Sequence, residues 1–169
     1  RVVDHQYLAV AGGAGTDADG GNRQLARDLR RNRFQRSLDH QRERARLFDC
    51  ARIVEAAVAQ YGKLTTLVNV AAAVTPDACI EALGLDAWNE ALAVNLTASF
   101  LTAKHAVPHM RAAGGGAIVN IASQLGQTGA ANRAAYSTTK AALIQFTKCI
   151  AVEYGQDNIR ANTISPGSI

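Results

Sequence analysis

The chain has 169 residues, 48% of them apolar, 19% charged and 5% aromatic, with a net charge of +4. That length suits one domain with a buried core and leaves little room for a second. The apolar share excludes a wholly disordered chain, and no apolar run approaches the ~20 residues that span a bilayer. The N-terminal stretch Arg1-Val-Val-Asp-His5 has no apolar core of signal-peptide type, so a cytoplasmic protein is expected. The chain also begins without Met, which places the expected start of the gene product outside this sequence.

In chain order, Tyr7-Leu-Ala-Val-Ala11 reads as a buried strand, followed by Gly12-Gly-Ala-Gly15 and Gly20-Gly21. Residues 24–31 suit one or two helical turns. Between Arg23 and Arg46 lie nine arginines against Asp28, Asp39 and Glu43, and no strand is legible there. With Phe34 as its one aromatic, this basic segment is expected to be a solvated or irregular face and not a nucleic-acid site. Leu47-Phe48-Asp49 looks like a strand end.

Ile53, Val54, Ala57, Val58 and Tyr61 recur at helical spacing and stop at Gly62, a C-terminal signal. The β-prone run Leu64–Val70 is expected to be a strand buried on both faces. After a loop with Pro76, Asp86 is the expected N-cap of a helix over 86–112, kinked or restarted at Pro108. Ala117–Ala122 is the next strand, 133–155 a second long helix, and Arg160–Ser165 a last strand before Pro166-Gly167. Strands alternating with helices predict an α/β fold, a doubly wound and mostly parallel Rossmann-like sheet, with ligands at the carboxyl ends of the strands.

Tyr136 and Lys140 lie four apart on the second long helix, so their side chains share a face. A phenol titrates near 10, so proton transfer by it at pH 7 means stabilising the phenolate by about 4 kcal/mol, part of which a neighbouring ammonium supplies. Ser123, just past the Ala117–Ala122 strand, can hold a substrate oxygen while the phenol gives or takes its proton. Those parts suit carbonyl–alcohol interconversion with hydride carried by a nicotinamide cofactor. Bland alternatives stand beside each role. Asn95 would satisfy a buried backbone group, Ser123 would cap a loop, and Lys140 would be solvated; Trp88 and Phe100 read as core. The scattered Cys50, Cys79 and Cys149, and His105 with His109 lacking a third ligand, signal no disulfide framework and no metal site.

From Ile53 onward the sequence resembles the short-chain dehydrogenases/reductases, NAD(P)-dependent oxidoreductases on a Rossmann fold. The landmarks are Leu67-Val-Asn-Val-Ala-Ala72, Val94-Asn-Leu96, Gly114–Ser123, Ala135-Tyr-Ser-Thr-Thr-Lys140, Ile159-Arg-Ala-Asn162 and Ser165–Ile169, in order and at family spacing. The resemblance implies that Tyr136 is the catalytic acid/base and that Lys140 lowers its pKa and bonds the nicotinamide ribose. It gives Ser123 the substrate oxygen, and Asn95 a water that links Lys140 to solvent. Pro166, Gly167 and the Ile169 backbone would pack on the nicotinamide end, and Asn69 and Ala71 would line the adenosine ribose. Asp49 would sit near the adenine. Gly12, Gly13 and Gly15 would approach the pyrophosphate. Asp39 would read the ribose and favour NAD, whereas the arginines around it would receive the 2′-phosphate of NADP. The helices 86–112 and 133–155 would pair in a homodimer or homotetramer.

Four stretches depart from the family pattern. The glycine loop places Thr16-Asp-Ala18 where further glycine is expected, and 23–48 is too short for the expected elements. Asn69-Val-Ala-Ala72 lacks the family's second Asn and its Gly, and the chain stops at Ile169, before a substrate loop and last strand. One domain over 1–169 is expected, incomplete at its C-terminal end, with a divergent cofactor half (1–48) and a well-matched catalytic half (49–169). The expected function is oxidation of an alcohol or reduction of a ketone or aldehyde with NAD or NADP. The alternative is an inactive relative that serves as a nucleotide-binding or oligomerising module.

Overall fold

The computed structural model describes residues 49–167. Gly12, Gly13, Gly15, Asp39, Ile169, the arginine segment and the expected strand Tyr7–Ala11 lie outside the described residues.

Helical backbone, α1, covers 49–61. Asp49 is therefore not the end of a strand. It is an exposed helical residue 3.5 Å from Arg52, one turn on, as the i,i+3 spacing of a helix allows. The amphipathic pattern turns Val54 inward, 3% exposed, and leaves Ile53 at 65%. Gly62, at φ +75°, ends the helix by bonding its N–H to the Val58 carbonyl at 2.8 Å, a left-handed position that costs glycine nothing.

Strand β1 is Thr66–Asn69. Helix α2, Leu85–Leu92, starts from Gly84, with Asp86 inside its first turn. Asp86 is thus not the N-cap, though its carboxylate still lies where the helix dipole favours it. A π-helical turn, Ala93–Thr97, leads into α3, Ala98–Ala112, which runs unbroken through Pro108. The interruption expected at Pro108 thus sits at Ala93–Thr97, where an i→i+5 turn absorbs an extra residue. Strand β2 is Gly116–Ile121, α4 is Ala134–Tyr154 and β3 is Ile159–Ile164.

The three strands are parallel in the order β1-β2-β3, with Ile118 paired to Leu67 on one side and Ala161 on the other. The crossovers run through α3 and α4, as parallel pairing requires. Val54 of α1, Ala103, Ala106, Val107 and Met110 of α3 and Ile150 of α4 close over Ile118, Ile159 and Ala161 in one core. Full burial of aliphatic side chains such as Ile118 contributes about 1.5–3 kcal/mol each. The other face of β1 is not buried: Val68 is 50% exposed, so the expectation of a strand covered on both faces fails there.

A row of polar side chains crosses the buried side of the sheet. Thr102 Oγ1 donates to Asn69 Oδ1 at 2.8 Å, Asn69 Nδ2 to Asn120 Oδ1 at 2.8 Å, and Asn120 Nδ2 to Thr147 Oγ1 at 2.8 Å. The row ends where Thr147 donates to the Leu143 carbonyl at 2.7 Å. Each amide is satisfied inside the core, so these buried polar groups hold α3, β1, β2 and α4 in one register instead of penalising it.

Candidate active site

The carboxyl ends of the three strands gather the expected residues on one edge. Past β2, the chain stays paired with the end of β3: the Ala122 N–H bonds the Ile164 carbonyl at 2.7 Å and the Gln124 N–H bonds the Pro166 carbonyl at 2.9 Å. Between them Ser123 is extended and caps the 3-10 turn Gln124–Gly126, its Oγ accepting the Leu125 N–H at 3.2 Å. The loop-cap role leaves the hydroxyl proton of Ser123 available, because an oxygen that accepts one hydrogen bond can still donate its own proton.

Helix α4 carries Tyr136 and Lys140 one turn apart. The Lys140 Nζ lies 5.7 Å from the centre of the Tyr136 ring, within cation–π range. It donates to the Ile121 carbonyl at 2.7 Å, two residues before Ser123. Lys140 is 2% exposed, and burial pushes its pKa down. It is not the solvated helix residue that spacing alone allows. An ammonium has three N–H donors, and Ile121 takes one of them.

Asn95 sits in the π turn, 1% exposed. Its Oδ1 accepts the Ala73 N–H at 2.7 Å, and its Nδ2 donates to the Ala73 carbonyl at 3.1 Å and to Thr139 Oγ1 at 3.1 Å. Thr139 in turn donates to the Tyr136 carbonyl at 2.8 Å. Asn95 therefore pins the loop after β1 to the turn of α4 that bears Tyr136 and Lys140. Further along that loop, Asp77 meets Arg133 at 2.9 Å and the Ala78 N–H bonds the Asn132 carbonyl at 3.2 Å.

The expected cofactor-side residues divide. Ala71, Pro166 and Gly167 are exposed along the strand ends. Asn69 is engaged by Asn120 and Thr102 within the sheet, and Asp49 stands on α1, paired with Arg52. Thr139, Asn120, Thr147 and Thr102 escape motif reading. The one signal for Asn120 is a polar residue inside the apolar run Ala117–Ala122, which must find a partner when buried.

The donor set fits the nicotinamide half of a dinucleotide: a buried ammonium that spends one donor among the described residues beside a phenol, and exposed backbone at the ends of β1 and β3. Among the described residues no group of three or more His, Cys, Asp or Glu could hold a metal ion, and no helix is long and apolar enough to cross a membrane.

The family model for short chain dehydrogenase matches residues 22–169. Cis-4-hydroxycyclohexanecarboxylate dehydrogenase of Sinomonas cyclohexanicum is 41% identical over 117 residues, 69% of this chain and 47% of that protein. The structure of ElxO with NADP bound matches with a TM-score of 0.69 at 31% identity, covering 72% of this chain and 49% of the other. NAD+-bound xylitol dehydrogenase matches with a TM-score of 0.68 at 35% identity, covering 70% and 45%. The chain spans about half the length of the curated relatives it matches.

Proposed function

The chain belongs to the short chain dehydrogenase family, and from that premise we propose that it serves NAD(P)-linked interconversion of an alcohol and a ketone or aldehyde. The observation that carries this reading is Lys140: a cation 2% exposed, held by a main-chain carbonyl and set against Tyr136. Burying a charge without an opposite charge costs stability, so a positive group kept there has work to do on what binds beside it.

In this reading Tyr136 gives or takes the proton at the substrate oxygen, and Lys140 stabilises negative charge as it develops on the phenol oxygen. Ser123 orients the same substrate oxygen through its hydroxyl proton. Lys140's remaining donors hold the hydroxyls of the nicotinamide ribose, while Pro166 and Gly167 flank the ring and Ala71 the adenosine side. NAD or NADP, when bound, supplies or accepts the hydride. Asn95 keeps the loop after β1 against α4, and a water held near it would pass protons between Lys140 and solvent. Pyrophosphate binding falls to Gly12, Gly13 and Gly15, and the choice between NAD and NADP to Asp39 and the arginines around it. We assign the substrate to the class of small alcohols and their ketones or aldehydes, and the protein to the cytoplasm.

Titration with NADH and NADPH by fluorescence, followed by turnover of an alcohol panel, tests the reading. Binding of one dinucleotide is expected, together with turnover that Tyr136→Phe reduces by about 100- to 10,000-fold. Neither binding nor Tyr136-dependent turnover overturns it.

A second reading, an oligomerising module, is favoured by Val152 on α4, 86% exposed, and Phe100 on α3, 45% exposed. They lie on the two helices expected to pair between copies.

A further inference from the structure

Gly126 ends the 3-10 turn that Ser123 caps, and its N–H bonds the Ser123 carbonyl at 2.9 Å. Its φ lies outside the left-handed region, so backbone conformation does not ask for glycine. The space does. A Cβ on Gly126 would stand 2.8 Å from the Lys140 carbonyl carbon, 2.9 Å from the Ala141 nitrogen and 2.9 Å from the Lys140 oxygen. All three atoms belong to the backbone of α4, inside its hydrogen-bonded length, where nothing yields cheaply. Carbon atoms settle at about 3.5–4.0 Å, so a side chain here forces the turn off the helix by half an ångström or more.

We propose that Gly126 is a positioning residue: its missing side chain seats the Ser123 turn directly on the Lys140–Ala141 peptide of α4 and thereby sets the placement of Ser123 relative to Tyr136 and Lys140. The inference rests on the functional reading above for its catalytic consequence, though not for its geometry. Two other contacts fix the same segment, the Lys140 Nζ on Ile121 and the Gln124 N–H on the Pro166 carbonyl. The serine turn is therefore wedged between the end of β3 and α4, with Gly126 so near the helix that a Cβ would meet its backbone. Gly129, three residues on, provides the contrast: a Cβ there meets nothing within 4 Å.

The test compares wild type, Gly126→Ala and Gly129→Ala by amide hydrogen exchange and by kinetics. Gly126→Ala is expected to speed exchange at the Gln124 and Leu125 amides, leaving β2 protected, and Gly129→Ala to change neither. With half an ångström of misplacement, kcat is expected to fall about tenfold at unchanged dinucleotide affinity. In a Ser123→Ala background, where the serine is already lost, Gly126→Ala should cost nothing further. Wild-type exchange at Gln124 and Leu125 in Gly126→Ala overturns the proposal whether or not the protein turns over, as does loss of β2 protection, which assigns the contact to folding. Additive kinetic losses overturn it equally. Faster exchange in a protein with no wild-type turnover upholds the geometry and defeats the functional reading instead.

Discussion

Lys140 donates to the Ile121 carbonyl at 2.7 Å, so the side chain that flanks Tyr136 also ties α4 to the end of the strand that leads to Ser123. No carboxylate pairs with it among the described residues, and its pKa is lowered by desolvation. The charged form is thus less favourable in the folded chain than in the unfolded one.

Lys140→Met, which keeps the aliphatic length and removes the charge, separates the two roles. Turnover is expected to fall by at least about 100-fold, while stability at pH 7 stays level or rises by about 1 kcal/mol. Between the lowered native pKa and the unfolded value of about 10.4, the unfolded wild type binds more protons, so wild-type stability rises with pH across that window. The destabilisation is fully present below the native pKa, so the gap between variant and wild type is widest there and closes toward pH 10. Urea midpoints at pH 7, 8.5 and 10 check this; a gap that widens with pH contradicts it.

Asn95→Ala removes three bonds at a residue 1% exposed and leaves the Ala73 amide and carbonyl unpaired. A loss of about 2–3 kcal/mol is expected, with faster exchange of the Ala73 amide. An unchanged Ala73 amide would show that the loop is held by other contacts.

The Ser137 Oγ is buried without a hydrogen-bond partner among the described residues. Ser137→Ala is expected to stabilise the chain by about 1 kcal/mol, read as a rise in Tm of about 2–4 °C. A lower Tm shows that the hydroxyl has a partner in solution.

Val152, 86% exposed, probes association through α4. Val152→Arg is expected to convert any dimer or tetramer into smaller species by light scattering with the fold intact by circular dichroism. An assembly unaffected by the charge uses another surface.

Much of the secondary structure is legible from the chain. Gly62 closes α1 where its position suggests, and β2, α4 and β3 lie within a residue of their expected bounds, because buried apolar runs and helical spacing leave little choice. The misreadings have local causes. Asp49 follows two apolar residues and mimics a strand end. Val68 belongs to an apolar run that stays half exposed on one face. Pro108 is exposed, and α3 carries it without a break. At the site, the Tyr136–Lys140 spacing is a helical regularity and can be read directly. The Asn95–Ala73 pairing, 22 residues apart, and the seat of Gly126 on α4 depend on how elements dock, which no spacing encodes.

The π turn at Ala93–Thr97 behaves as a one-residue insertion between two helices. An α-helix advances about 100° per residue, so one residue deleted from the regular part of α3 would swing the apolar stripe Ala103, Ala106, Val107 and Met110 off the sheet. The wide turn takes up its extra residue within a single revolution, so losing one of its residues other than Asn95 would restore a regular helix and leave that stripe in phase. Single-residue deletions should therefore be tolerated better in this turn than in the helix that follows it.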